Sequence, residues 1–387
     1  MKTRIIVGLV LSLGAASGIV ATAQALTTSS QWVDHANYDL ARFWMDPRYH
    51  GDPVGSFPTF ICHNGAVWDP VDPCPSLVES PGWITSELGR QYIRMVSRQT
   101  FTYGVIFHLT GDDEALALAR AGCRYIIDQA FDPVTGSVAT WLEHGQTGPD
   151  PEQRTTQSLA YALLGPTFVY YLTGDPELRS FILAVKDHIF SQYWSRELEM
   201  LRWANAETGE DSRDRMELVA QLDQINAYML LMTPLLDGAL RQEWEADLRV
   251  LIHVMLGDFH DQDNHRFYGY LHSPEGKEWG RRHNDFGHTA KAYWMIERTG
   301  RLLQEPGWVK LAEKGLADVL TDALATPNLT DAPGWQIESV RPAANHEGIY
   351  HVWANQPDGI GTAWWEWCEL DQAGATLALR DHSWVSH

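Results

Sequence analysis

Cysteine is scarce in this chain, with four in 387 residues. None of the four forms a Cys-x-x-Cys pair, which argues against a cysteine zinc site. Positive charge is also short. Lys and Arg number 29 against 50 Asp and Glu, a formal charge of −21. A surface of that sign lacks the basic patch that nucleic acid or an anionic membrane requires, and it suits a neutral substrate better than a strongly anionic one. The glycine-rich loops that cradle phosphates are missing too, so no organic cofactor is implied. Past the first 25 residues no run is long and apolar enough to span a bilayer.

Those first 25 residues read as a secretory signal. Lys2 and Arg4 precede the apolar run "IIVGLVLSLGAASGIV", and "ATAQA" places Ala23 and Ala25 in a small-residue cleavage pattern. Cleavage there leaves one domain, residues 26–387, in a periplasmic or secreted protein; an uncleaved anchor is the alternative. In an exported chain, Cys62 and Cys74 of "ICHNGAVWDPVDPCP" suit a local disulfide. Cys123 and Cys368 lie in helical patterns and suit buried thiols. In "HDQDNH", His260 and His265 are too loosely spaced for a metal site and read as part of an exposed loop.

What fills the chain is helix. "ELGRQYIRMVSRQTFTYGVIFHLTG" has apolar residues at helical spacing and stops at Gly111, and "DEALALARAGCRYIIDQAF" follows after the turn "TGDD". The same device recurs with "TGDP", "DG" and "TG" as turns, at intervals of roughly 60 residues, a repeat of antiparallel helix pairs. The connections between pairs are long and rich in Gly, Pro and aromatics, which fits short β-hairpins or functional loops. The chain has 17 Trp and 14 Tyr; aromatic faces stack on sugar rings, although most such side chains serve packing.

Several motifs resemble those of the N-acylglucosamine 2-epimerase superfamily, which includes mannose isomerases and cellobiose 2-epimerases. "HANYDLARFWMDP" is similar to its opening helix. "SRQTFTYG" resembles the segment with a sugar-binding arginine, here Arg98. "FGHTAKAYWMI" resembles Gly-His-x-x-Glu-x-x-Trp, with Gly287, His288 and Trp294 in register. "WWEWCELDQAGATLAL" resembles a Trp-Trp-x-x-x-Glu helix, placing Trp364, Trp365 and Glu369. The resemblance covers nearly all of the mature chain. It implies an all-α fold, an (α/α)6-barrel-like toroid of helical hairpins. Five hairpins are counted before the chain ends at "RDHSWVSH", so the last hairpin is expected to be lacking. The departures are specific. Lys291 stands where the superfamily has glutamate. In "NAYMLL" Asn226 matches, but Tyr228 and Leu230 replace histidines. Gln157 replaces a cleft tyrosine. His382 and His387 are poor substitutes for a late histidine.

The chemistry implied is proton abstraction beside a sugar carbonyl, which needs a base, an acid and an oxyanion stabiliser. Histidine suits the first two because its pKa of about 6.5 lies near working pH. The expected catalytic residues are His288, Glu369 and Lys291. The expected substrate-binding residues are Arg98, Asn226, Asn284, Asp285, Trp364 and Trp365, with no metal. Asn284, His288 and Lys291 fall on one helical stripe, with Asn284 or Asp285 to orient the imidazole. Lys291 is expected to lower the His288 pKa, and either to stabilise an oxyanion or bind a substrate carboxylate, or else to pair with an acid such as Glu369. The partner is a small carbohydrate. Two other classes remain open at this point. One is a glycoside hydrolase or polysaccharide lyase using Asp285 with Glu369; the other is a non-catalytic sugar-binding relative.

Overall fold

Turn chemistry sets the helix boundaries. In the computed structural model, which describes residues 28–143, 145–147, 154–204, 216–273, 278–280, 285–325 and 364–380, ten principal helices follow one another. The first, α1 (Ser29–Asp34), continues through a π-helical stretch, His35–Ala41, and a last turn, Arg42–Trp44. Then come α2 (Ile93–Thr110), α3 (Asp113–Ala130), α4 (Thr156–Thr173), α5 (Pro176–Gln192), α6 (Leu218–Gln224), α7 (Gly238–Val254), α8 (Phe286–Leu302), α9 (Pro306–Ala325) and α10 (Trp364–Ala378). Gly111 and Gly174 end α2 and α4 in the left-handed region, φ 72° and 68°. Asp112 and Asp175 then cap α3 and α5 by accepting from Glu114 N and Glu177 N.

Burial sorts the helices into two layers. On α5 the buried residues Leu178, Phe181, Ile182, Val185 and Ile189 form a single stripe, and α3 and α7 show the same pattern. α4 and α8 are buried nearly all round. The even-numbered helices therefore form an inner row, and the odd-numbered ones cover it. α2 packs on α4, α4 on α6, the continuation of α6 on α8, and α8 on α10. Gly165 permits the α2–α4 approach, since a Cβ there would lie 2.5 Å from the Ser97 carbonyl oxygen.

Two boundaries differ from the sequence reading. The first long helix begins at Ile93, because Arg90–Tyr92 is a strand paired with Trp141–Glu143. Gly300 is no turn; it lies inside α8 and gives room to Trp308 and Val309 of α9. The true turn places Gln304 at φ 58°. The connections between pairs do hold short antiparallel strands. Of these, Arg90–Tyr92 and Met216–Glu217 run directly into inner helices α2 and α6. In "HDQDNH" the expected exposed loop is the turn Gln262–His265 of one such hairpin, while its first two residues are strand. His260 and Asp261 are buried, and His260 Nε2 lies 2.8 Å from Tyr293 Oη. Cys62 and Cys74 form a disulfide. Cys123 is buried, but Cys368 lies on the exposed side of α10, so the expectation of a buried thiol fails there.

Candidate active site

The inner helices present their polar residues at one level. Counted from the first residue of each helix, the sixth position is Arg98 on α2, Tyr161 on α4, Asp223 on α6, Lys291 on α8 and Glu369 on α10. Equal register on neighbouring helices brings these residues together from five separate segments. Three of them had been singled out in the sequence. Asp223 and Tyr161 had not.

Lys291 is tied down by both of the missed residues. Its Nζ donates to Asp223 Oδ1 at 2.6 Å and to Tyr161 Oη at 3.0 Å. Tyr161 Oη also donates to Asp223 Oδ1 at 3.2 Å, and Gln157 Nε2 donates to Asp223 Oδ2 at 2.7 Å. Asp223 and Lys291 are 1% and 7% exposed at their side chains. Burial alone would raise the Asp223 carboxyl, but the Lys291 charge and the Lys291 and Gln157 hydrogen bonds hold it below the usual range. Burial likewise acts to lower Lys291, and Asp223, Tyr161 and Glu369 outweigh it and raise the amine. Lys291 is a fixed cation. Its ion-pair partner is Asp223, not Glu369, and Gln157 and Tyr161, one turn apart on α4, both donate to that carboxylate.

His288 is built from its own helix start. Asp285 is the N-cap of α8, with Oδ1 accepting from His288 N at 2.8 Å and Oδ2 lying 2.7 Å from His288 Nδ1. One carboxylate thus caps the helix and orients the ring, assigning a proton to Nδ1. Burial and Lys291 act to lower the imidazole, but the Asp285 charge and hydrogen bond prevail and the net shift is upward. Lys291 acts in the expected direction, but Asp285, in direct contact with the ring, outweighs it. Asn284, the other proposed orienting residue, lies outside the described residues.

α10 closes this side. The Trp365 ring meets His288 edge to face, centroids 4.8 Å apart. That approach depends on Gly287, where a Cβ would come within 2.6 Å of Trp365 Cζ3 and 2.8 Å of Glu366 Cγ. Burial raises the Glu369 carboxyl more than Lys291 and His288 lower it. A carboxyl raised toward neutrality, near an oriented imidazole, is equipped for acid–base work.

The remaining expected residues divide. Arg98 reaches the cluster, its guanidinium 4.0 Å from the Tyr161 ring centroid. Asn226 falls in the π-helical stretch Ile225–Met229, half-buried, and no hydrogen bond joins it to the cluster among the described residues. Tyr228 faces the other way. Its hydroxyl donates to Gln224 Oε1 at 3.1 Å and its ring packs on Trp244 of α7. The side chain of Trp364 lies outside the described residues, as do His382 and His387. Among the described residues no group of three His, Cys, Asp or Glu is placed to hold a metal ion.

No family model matches the chain. A cellobiose 2-epimerase of Bacteroides fragilis is 22% identical to it over 275 residues, covering 68% of each protein. A sugar epimerase from a ruminal bacterium has a similar structure, with TM-score 0.67 at 14% identity over 91% of this chain and 82% of that one. A D-mannose isomerase gives 0.66 at 14% identity over 94% and 84%. These similarities support the resemblance to the N-acylglucosamine 2-epimerase superfamily, from which the chain diverges in sequence. Its helical pairs follow the α/α-barrel fold of that superfamily. At the centre of the site a buried Lys291–Asp223 pair bridges α8 and α6.

Proposed function

We propose that this protein is a sugar 2-epimerase or aldose–ketose isomerase that moves a proton at the carbon beside a sugar carbonyl. The named relatives support the reaction class. The observation that carries it here is His288, oriented by Asp285 within electrostatic reach of Lys291 and of a Glu369 carboxyl of raised pKa.

In this reading His288, with its Nδ1 proton held by Asp285, uses Nε2 to take the proton from the carbon. The electron pair left behind forms the enediolate double bond, and the carbonyl oxygen becomes an oxyanion. Lys291 stabilises that charge, because Asp223 keeps the ammonium protonated and two of its three donors are already fixed. Glu369 serves as the second acid–base group. Return of a proton to the same carbon from the other face gives the epimer; return to the neighbouring carbon gives the ketose. A hydrolase using Asp285 with Glu369 is disfavoured, since both Asp285 oxygens are committed to His288. The proposed setting is outside the cytoplasm, which the leader-like start and the Cys62–Cys74 disulfide support.

The test incubates the protein in heavy water with mono- and disaccharides and reads deuterium at the carbon beside the carbonyl. Label should enter substrate and an isomer of unchanged mass, and a folded His288→Ala variant should incorporate none. Full incorporation by that variant would sink the assignment.

A further inference from the structure

The proposed proton transfer assigns no step to one pair of charges. Arg94 and Arg98 stand one turn apart on α2, on the side that faces Tyr161. Like charges at that spacing repel, and α2 provides no acid between them. Arg94 is largely buried, and its Nε has no hydrogen-bond partner. Burial and the Arg98 charge both act to lower its pKa. Its guanidinium lies 5.3 Å from the Tyr92 ring centroid. Arg98 lies over the Tyr161 ring, and its one hydrogen bond among the described residues is a weak contact to Met95 Sδ at 3.7 Å. Among the described residues no carboxylate forms an ion pair with either guanidinium.

The rest of the molecule provides the control. Arg90, one turn before Arg94, also stacks on an aromatic ring, Trp141, yet it has Glu87 as an ion-pair partner. Buried Lys186 has Glu243 and Asp247, each at 2.7 Å. Lys291 has Asp223. Each of these three cations has an acid within ion-pair distance. Leaving a buried charge unpaired is costly. Two guanidiniums offer ten N–H donors in planar forks, the geometry that binds a carboxylate, sulfate or phosphate through paired hydrogen bonds.

We infer that Arg94 and Arg98 form a binding site for an anionic group on the sugar substrate. The substrate class is therefore an acidic sugar, with its charged substituent at α2 and its carbonyl end toward His288 and Glu369. This rests on the proposed epimerase or isomerase reading for the placement of the sugar, but anion binding can be measured without turnover. The overall charge of −21, which suggested a neutral substrate, describes the whole chain; the α2 face of the site carries the opposite sign.

The test is calorimetric titration of the whole protein with matched ligands: neutral hexoses and cellobiose against hexuronates, a cellobiouronate and hexose 6-phosphates. At least one acidic ligand should bind about 10- to 100-fold tighter than its neutral match, the range for hydrogen bonds to a charged group. A folded Arg94→Gln variant should lose most of that preference while binding neutral ligands as before. The uronate and phosphate arms identify which anion fits. Equal or weaker binding of every acidic ligand, or no binding by any, overturns the inference, as does an unchanged preference in Arg94→Gln. The same ligands in heavy water test the reaction separately. Label entering only neutral sugars refutes the acidic substrate and keeps the epimerase reading. Selective anion binding with no label in any sugar does the reverse.

Discussion

Asp223 determines whether Lys291 can remain charged where it is. Replacing it by asparagine would leave a buried ammonium without its counter-charge, at a cost of about 3–5 kcal/mol. Denaturant unfolding of Asp223→Asn should show that loss, and Asp223→Glu should recover part of it. Little change in the asparagine variant would mean the ion pair is unimportant. His288 makes a second prediction. Its folded pKa is raised above that of the unfolded chain, about 6.5, by Asp285. The resulting stabilisation is complete below the unfolded value and fades as pH rises through the folded one. The stability gap between wild type and His288→Asn should therefore narrow as pH rises above about 6.5, and a gap that widens would contradict the pairing. Legibility at this scale was uneven. His288, Lys291 and Glu369 could be read from the sequence because a motif surrounds each. Asp223 could not, because its partner is 68 residues away. One local sign existed, a lone acid within the otherwise uncharged run "LVAQLDQINAYMLLM". Arg94 had one as well, four residues before Arg98.

The α8–α10 contact shows what an element must do to hold such residues. Gly287 is in the first turn of α8, where a methyl group would strike Trp365 and Glu366. Gly287→Ala should cost about 1–3 kcal/mol, the usual range for overpacking. It should also lower turnover more than its stability loss explains, by moving Glu369 away from His288. Denaturant unfolding and the deuterium assay check the two effects, and a variant with normal turnover would show that helix spacing is not critical. Helix pairs were readable in the sequence because Gly111, Gly174, Asp112 and Asp175 punctuate them locally. The start of α2 was misplaced because Arg90–Tyr92 is held by a strand about 50 residues later, and tertiary pairing overrides local propensity. The turn after α8 was misread because Gly300 serves close packing against α9 rather than chain reversal.

At the scale of the whole molecule, the two layers separate stability from chemistry. Outer helices need only one apolar stripe, so their sequences are periodic and easily recognised. Inner helices α4 and α8 are buried nearly all round, and Lys291, Asp223 and Tyr161 are held in place by partners on other helices. One consequence follows from the common level at which α2, α4, α6, α8 and α10 place their polar residues. Those residues span Arg98 to Glu369, so the site belongs to no fragment of the chain. On the ribosome, where earlier segments emerge and pack first, Lys291 cannot be sequestered until Tyr161 and Asp223 have already packed, and His288 meets Glu369 only when α10 docks. On the proposed reading, activity is thus acquired no earlier than the docking of α10, and a nascent or clipped chain that has folded only its first helix pairs would be inert.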